Sequence, residues 1–540
     1  MILIASGAYL QDEFVSELGL LPPSFLPIGN KRLYEYQFTF LELCSTTKED
    51  FYLSIPYSYA LDDYDKVRLK QLGIEIIRVP EGLSLGNSLL YCWNATAKHY
   101  KSFTLLHGDT LFLNGSFNGS NEISIHLNQG FYERASLGKE LASLEHISDG
   151  WSDDCEQVVS GFFRFSEPLY FMKSLVEAKS DFIQAIVSYQ QAHPVLLVSN
   201  GDWLDFGHIN SFYHSRTHMT TQRVFNSLSI SRRSVYKSSK TKSKKIYAEG
   251  NWFANLPMQL RSYTPALLDL SSAQNDYSNS YYELEYLYLL PLSDLFVFSR
   301  VNIASWQIIF AEIVRMLSDF KRFRPQTITK AELEQVDQLY LPKTLERLES
   351  YANQERVDLE KNLVTLKDNR KISLMDIALQ SAKFIEKTRV EDIAISHGDL
   401  CFSNILYDHR AEAIKCIDPR GITSSGELSV YGDRRYDLAK LYHSTVGLYD
   451  FIITGRFDKK NNEPCNEKRS ALYTQDYHQK IVDSFKKIIL NKFDYSEQEI
   501  LAINVHLFLS MLPLHSDFPS RQQAFITNAV RLFEKLTEVK

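Results

Sequence analysis

Through residues 1–220, short apolar runs alternate with amphipathic stretches. Met1 to Gly7 is apolar up to a Ser-Gly pair, the pattern of a buried strand leaving a sheet through a glycine turn. Phe51–Ile55, Ile74–Val79, Phe103–Leu106 and Val158–Phe165 repeat the strand pattern, and Leu33–Cys44 and Tyr64–Leu72 between them have helical spacing. Strands alternating with helices predict a mostly parallel sheet covered on both faces. Near residue 220 the texture changes. Phe225–Ile230 and Ser234–Lys237 read as a short hairpin, and an amphipathic helix starting near Lys245 carries Glu249, Trp252 and Phe253. Beyond Arg300 long helical periods dominate, at Trp306–Phe320, Ala331–Asn353, Leu374–Thr388, Tyr477–Leu490 and Gln522–Leu536, interrupted by one strand–loop–strand island at 393–418. The polar insertion Thr454–Arg469 reads as a surface loop.

A chain of 540 residues is more than one core usually organises, so two or more domains are expected. Apolar residues make up 44% and charged residues 23%, which excludes collagen-like and largely disordered classes. The formal charge of −7 argues against a nucleic-acid coat or an anionic membrane surface as the main partner. Cys44, Cys92, Cys155, Cys401, Cys416 and Cys465 include no C-x-x-C pair, so a reducing compartment fits better than a disulfide framework. No run reaches the roughly 18 apolar residues that span a bilayer, and the start lacks a basic flank and a cleavage site. The expectation is a cytoplasmic protein with small-molecule partners.

The strongest chemical signal is the island. His397-Gly398-Asp399 is followed by Asn404 five positions after the aspartate, then by a strand ending in Ile417-Asp418-Pro419-Arg420-Gly421. Phosphoryl transfer to a hydroxyl needs a carboxylate to orient the hydroxyl and accept its proton, and oxygen donors to hold magnesium against nucleotide phosphates. Asp399 is the candidate base, with Asn404 and Asp418 as candidate metal ligands. The competing reading makes both aspartates cap or turn residues and His397 a satisfied core histidine.

These residues resemble the catalytic and metal loops of the aminoglycoside phosphotransferase and choline kinase superfamily, over roughly residues 225–540. The resemblance implies a two-lobed kinase-like fold, with small lobe and hinge at 221–300 and helical large lobe at 301–540. It also implies ATP, Mg²⁺ and a small-molecule hydroxyl acceptor. Its phosphate-gripping lysine and helix glutamate fall on Lys237 and Glu249, with Lys244 and Lys245 as competitors for the lysine role. The adenine hinge falls on Glu285–Leu290, Glu285 and Leu287 included, where backbone groups rather than side chains would read the base. Asp433 and Asp437 of Gly432-Asp433-Arg434-Arg435-Tyr436-Asp437-Leu438-Ala439 correspond to aspartates that brace the catalytic loop, which implies support rather than direct chemistry for Asp437 and is compatible with a helix N-cap. Trp306, Tyr449 and Asp450 are candidates for the acceptor pocket.

Residues 20–37, LLPPSFLPIGNKRLYEYQ, resemble the nucleotidyltransferases that make nucleotide-activated sugars and alcohols. His107-Gly108-Asp109, the strand Val158–Phe165 and Trp203-Leu204-Asp205-Phe206-Gly207 add to the likeness. They imply a Rossmann-like domain over 1–220 with Asp109 and Asp205 as metal ligands and CTP or another nucleoside triphosphate as substrate. The chain departs from that family at the phosphate loop, where Ser6-Gly7-Ala8-Tyr9 replaces a glycine-rich stretch with arginine, and at Pro23, where the family has lysine. An active and a degenerate domain both stay open. Proteins combining the two halves belong to capsule and surface-polysaccharide pathways, which is the role the combined resemblance implies. A non-catalytic scaffold and a kinase with a protein acceptor are the alternatives.

Overall fold

The computed structural model describes residues 1–45, 49–127, 157–219, 227–272, 277, 279–458 and 472–538. The described chain packs as two compact units, Met1–Thr220 with Phe298–Arg300, and Thr221–Val297 with Val301–Lys540.

In the first unit, seven strands form one sheet: β1 (Ile2–Ala5), β2 (Phe51–Pro56), β3 (Ile74–Val79), β4 (Phe103–His107), β5 (Glu122–Leu127), β6 (Gln157–Phe165) and β7 (Leu196–Val198). Their order is β7-β5-β6-β4-β1-β2-β3. All neighbours run parallel except β6, which is antiparallel to both β4 and β5. The apolar run at the start of the chain is buried because β1 lies between β2 and β4, with Leu3 opposite Tyr52 and Leu105. On one face Phe163, Phe165, Phe171 and Tyr189 join Leu3 and Leu105 in an aromatic core, Phe165 stacking on Phe171 at 3.8 Å. A two-stranded ribbon, Thr110–Leu113 with Asp202–Asp205, stands beside this sheet.

The first unit is completed by a short piece from far along the chain. The buried Arg32 guanidinium donates to the carbonyl oxygens of Phe25 at 2.7 Å and Phe298 at 2.8 Å, and Arg300 N–H donates to Leu18 O at 2.7 Å. Gly19 packs so tightly on the Arg300 backbone that a β-carbon there would lie 2.5 Å from Arg300 O.

The second unit opens with a four-stranded antiparallel sheet in the order Ser227–Ile230, Ser234–Ser238, Tyr281–Glu285, Leu267–Leu270. The expected hairpin is present from Ser227; the first two residues assigned to it, 225 and 226, lie outside the described residues. The helix Ser243–Ala254 lies on this sheet at Gly250, where a β-carbon would meet Leu270 Cδ1 at 2.4 Å. Leu290–Pro291 leads out of the sheet and pairs with Ile405–Asp408, which pairs with Ala413–Cys416. Helices make up most of what remains.

Two helical expectations are corrected. Ala331–Asn353 is two helices, Lys330–Asp337 and Leu341–Glu355, because Pro342 has no N–H to continue the first and occupies the opening turn of the second. Leu374–Thr388 is helical only to Ser381 and then tightens into a 3₁₀ turn at Ala382–Phe384. Glu497–Ser510, absent from the sequence reading, is the central helix, buried continuously from Glu499 to Ser510. Cys44, Cys92, Cys401 and Cys416 are buried free thiols; Cys155, Cys465 and most of the 454–469 insertion lie outside the described residues. Among the described residues no helix is long and apolar enough to cross a membrane.

Candidate active site

The island around Asp399 is built by backbone geometry. The strand Ile393–Ile395 pairs with Tyr431–Asp433 and delivers His397 into the core. Gly398 follows at φ 75°, with the Arg420 stem pressed against its α-carbon. The Asp437 carboxylate accepts the N–H groups of His397 at 2.8 Å and Gly398 at 2.7 Å and so fixes this turn. Burial lowers the His397 pKa and keeps the ring neutral. Its Nε2–H donates to Ile417 O at 2.9 Å, and Nδ1 accepts the Asp399 N–H at 3.3 Å. His397 therefore ties the strand before Asp399 to the residue before Asp418.

Asn404 closes the same loop. Its side-chain amide donates to Asp399 O at 2.9 Å, and its own carbonyl accepts Ile417 N–H at 3.0 Å. Asp418 then takes a left-handed backbone conformation, φ 57°, which an aspartate tolerates better than most residues. Its carboxylate reaches Lys237 Nζ at 2.9 Å. Lys237 is also 2.7 Å from Glu249, and Tyr282 OH donates to Glu249 at 3.0 Å. Burial alone would lower the Lys237 pKa, but the Asp418 and Glu249 carboxylates outweigh it and hold the ammonium charged. Lys237 is thus the lysine drawn into this network. Of its two competitors, Lys245 reaches Glu249 only at 3.7 Å with an exposed side chain, and Lys244 lies over the Tyr277 ring.

The helix Ser243–Ala254 is tied to the segment before Asp399 by Trp252, whose indole N–H donates to Ser396 O at 2.9 Å. Gly421, at φ 64°, lets the loop after Asp418 touch that helix: a β-carbon there would sit 2.0 Å from Ala248 O. Glu285 ends the strand Tyr281–Glu285, and its N–H is spent on Ala266 O, as Tyr286 N–H is on Arg233 O. Leu287 lies two positions beyond the strand, its carbonyl accepting Leu289 N–H at 2.9 Å.

Asp399 has a partner that the sequence reading did not assign. Lys440 Nζ lies 2.8 Å from its carboxylate. Burial would push the Asp399 carboxyl up, but Lys440, with Arg420 behind it, holds it well below the ordinary carboxylate range. Lys440 follows Asp437 by three positions on the helix Arg434–Thr445, so one face of one turn carries both the brace and the counter-charge. That spacing was legible in the sequence. Trp306 is no pocket residue: it is buried against Phe296 and Phe402 and donates to Tyr477 OH at 3.0 Å. Asp450 is buried too, and its carboxyl is pushed up to about 7 by burial.

In the first unit the two expected metal ligands converge. Asp109 follows β4 and Asp205 ends the ribbon strand, with Phe206 N–H donating to Asp109 O at 2.8 Å. Both carboxylates face Gly207, where a β-carbon would lie 2.4 Å from Asp109 Oδ2 and 3.4 Å from Asp205 Oδ1. The loop at Ser6 is held by side chains instead of repeated glycines: the Ser6 hydroxyl accepts Ser24 N–H at 3.1 Å, and Ser24 donates to Gly108 O at 3.2 Å. Pro23 sits in a 3₁₀ turn, and Lys31 lies over the Tyr36 ring.

Among the described residues no three histidine, cysteine or carboxylate side chains gather into a metal cage. The oxygen donors available, Asn404 and Asp418 in the second unit and Asp109 and Asp205 in the first, are of the chemical type that a hard divalent cation takes alongside water and phosphate oxygens. Asp418, 47% exposed at its side chain, is open to such a ligand sphere.

No protein-family model matches the chain, and no curated protein does. Solved structures similar to parts of it include a nucleoside-diphosphate-sugar pyrophosphorylase from Vibrio cholerae, at 13% identity and TM-score 0.31, covering 40% of this chain and 99% of that one. A glucose-1-phosphate thymidylyltransferase from Bacillus anthracis is similar at 12% identity and TM-score 0.30, covering 41% and 96%. A GDP complex of aminoglycoside 2′-phosphotransferase-IIIa matches at 13% identity and TM-score 0.35, covering 59% and 91%. By its topology the chain is an α/β protein with a mostly parallel seven-stranded sheet in its first unit and a small antiparallel sheet with many helices in its second.

Proposed function

We propose that the second unit is an ATP- and Mg²⁺-dependent phosphotransferase acting on the hydroxyl of a small molecule. The observation that carries this reading is the meeting of Lys237, Glu249 and Asp418 beside the Asp399–Asn404 loop. Lys237 would hold the nucleotide phosphates, and Asn404 and Asp418 the cation. Mg²⁺, when bound, neutralises charge on the triphosphate. Asp399 accepts a hydrogen bond from the acceptor hydroxyl and aims its oxygen at the γ-phosphorus. The O–H bond and the bond from the β–γ bridging oxygen to the γ-phosphorus break, one O–P bond forms, ADP leaves, and the proton passes to Asp399 and then to solvent. A carboxylate held so acidic orients the nucleophile more than it deprotonates it, which suits a loose transition state.

The first unit would activate the phosphorylated product with CTP or another nucleoside triphosphate, as a precursor for a surface polysaccharide. The paired Asp109 and Asp205 carboxylates support an active domain. The side-chain-held Ser6 loop favours the second reading, a ligand-binding domain without nucleotidyl transfer. The test scores ADP and pyrophosphate separately on wild type, Asp109→Ala and Asp399→Ala. Asp399→Ala should abolish ADP formation with an unchanged circular dichroism spectrum, and retained turnover there would end the proposal. Pyrophosphate lost only in Asp109→Ala would assign transfer to the first unit.

A further inference from the structure

A second group of charges lies on the helical side of Asp399, and catalysis as described leaves most of it unused. Lys343, on the helix Leu341–Glu355, and Arg420, after Asp418, both converge on the Tyr436 ring, at 5.9 and 4.5 Å from its centre. Lys440 completes the set from the next turn of the Tyr436 helix and is the only one of the three with an ion-pair partner among the described residues, namely Asp399. Asp437, the other nearby carboxylate, is turned toward the His397 and Gly398 N–H groups. Three cations therefore share one paired carboxylate.

The local potential is strong enough to act on neutral and charged neighbours alike. Burial would raise the Tyr436 phenol, yet Lys343, Arg420 and Lys440 outweigh it and bring it down to about 7. Tyr436 pulls the Lys343 ammonium up, but burial together with Arg420 and Lys440 overrides this and lowers it. Three cations around one carboxylate and the Tyr436 phenol leave an excess of positive charge in a half-buried place, which a bound anion would offset. Nucleotide phosphates have their own cation in Lys237, on the small-lobe sheet, whereas this group belongs entirely to the helical lobe and flanks the base. A cavity of about 210 Å³ opens on Arg420 and Tyr436, bordered by His397, Gly398 and Thr423, with Lys343, Asp399 and Lys440 set behind its lining rather than in it. That is below the roughly 300–1,000 Å³ of sites for drug-sized ligands.

Resting on the phosphotransferase reading, we infer that the acceptor is a small hydroxylated anion, whose carboxylate or phosphate group is bound by Lys343 and Arg420 while its hydroxyl meets Asp399. An amino alcohol, with its ammonium beside three cations, is the acceptor class that this arrangement rejects. A neutral polyol gains nothing from it.

The test has a binding arm and a turnover arm, on wild type, Lys343→Met, Arg420→Met and Asp399→Ala of the full chain. Calorimetry titrates inorganic phosphate and glycerate into protein saturated with ADP and Mg²⁺, the two probes separating a phosphate site from a carboxylate site. Either methionine should raise the anion dissociation constant at least tenfold, and in Lys343→Met ATP affinity should stay within twofold. Turnover compares glycerate and glycerol 3-phosphate with glycerol and ethanolamine, and ADP formation should favour an anionic member at least tenfold. Absence of anion binding, an equal loss of ATP affinity in Lys343→Met, or preference for glycerol or ethanolamine would overturn the inference. Asp399→Ala keeps the two proposals apart. Anion binding without ADP formation in any protein would refute the phosphotransferase reading, whereas ADP formation without anion binding would refute the acceptor class alone.

Discussion

Gly421→Ala probes whether the loop after Asp418 and the helix bearing Glu249 act as one rigid piece. The added methyl would start 2.0 Å from Ala248 O and 2.6 Å from Ala248 C, both backbone atoms that cannot swing aside. Carbon and oxygen settle no closer than about 3.3 Å, so loop and helix must part by about 1.3 Å. Lys237 bridges that gap with bonds of 2.7 Å to Glu249 and 2.9 Å to Asp418. Opening by more than 1 Å takes one of them beyond hydrogen-bond length. A charge-assisted bond is worth about 1.5–3 kcal/mol, which converts to roughly 10- to 100-fold weaker binding of ATP with Mg²⁺. The left-handed backbone of the new alanine adds about 1–2 kcal/mol of strain, so Tm should also fall, by roughly 2–5 °C. Gly455→Ala is the control, because Gly455 has φ 74° and nothing within 4 Å of its added methyl. It should lower Tm through strain alone and leave nucleotide affinity unchanged. The measurements are calorimetric ATP titration and thermal melting. Unaltered ATP affinity in Gly421→Ala would refute the coupling between loop and helix.

Further outcomes follow from buried charges. Arg435 bridges Asp433 and Glu499 at 2.7 Å each inside the helical lobe, so Arg435→Met strands two buried carboxylates and should cost about 3–5 kcal/mol in urea unfolding. Asp450 has its folded pKa raised to about 7 from an ordinary 3.8, so its contribution is fully present below about pH 4 and is lost as pH rises through 7. Asp450→Asn should remove that decline and gain up to about 4 kcal/mol at pH 8; melts from pH 4 to 8 with the same slope as wild type would contradict it. Lys440→Met frees Asp399 to titrate higher, so the acid limb of the ADP-formation profile should move to higher pH. An unmoved limb would show that Lys440 does not set the charge of Asp399.

The sequence exposed what is local. His397 to Asp418 spans one strand–loop–strand, and Lys237 and Glu249 belong to one strand-to-helix connection, so spacing alone could suggest their proximity. The parallel sheet was legible because its buried strands read as unbroken apolar runs. The helix Glu497–Ser510 was not, because a helix buried on every side has no amphipathic period to detect. Leu267–Leu270 escaped for the opposite reason, as an edge strand with half its residues exposed. The Lys343, Arg420 and Tyr436 cluster draws on three separate stretches, and nothing in any one of them announces the others.

The piece Phe298–Arg300 has a practical consequence for anyone recombining chains of this kind. A fragment ending at residue 220 would keep Arg32 but lose the Phe298 carbonyl it grips, and would leave Leu18 O without its Arg300 donor. Exchanging the front half for another domain by a single splice would therefore carry a hidden defect into both products. A workable chimaera must transplant that tripeptide, or a substitute for it, along with the sheet it serves.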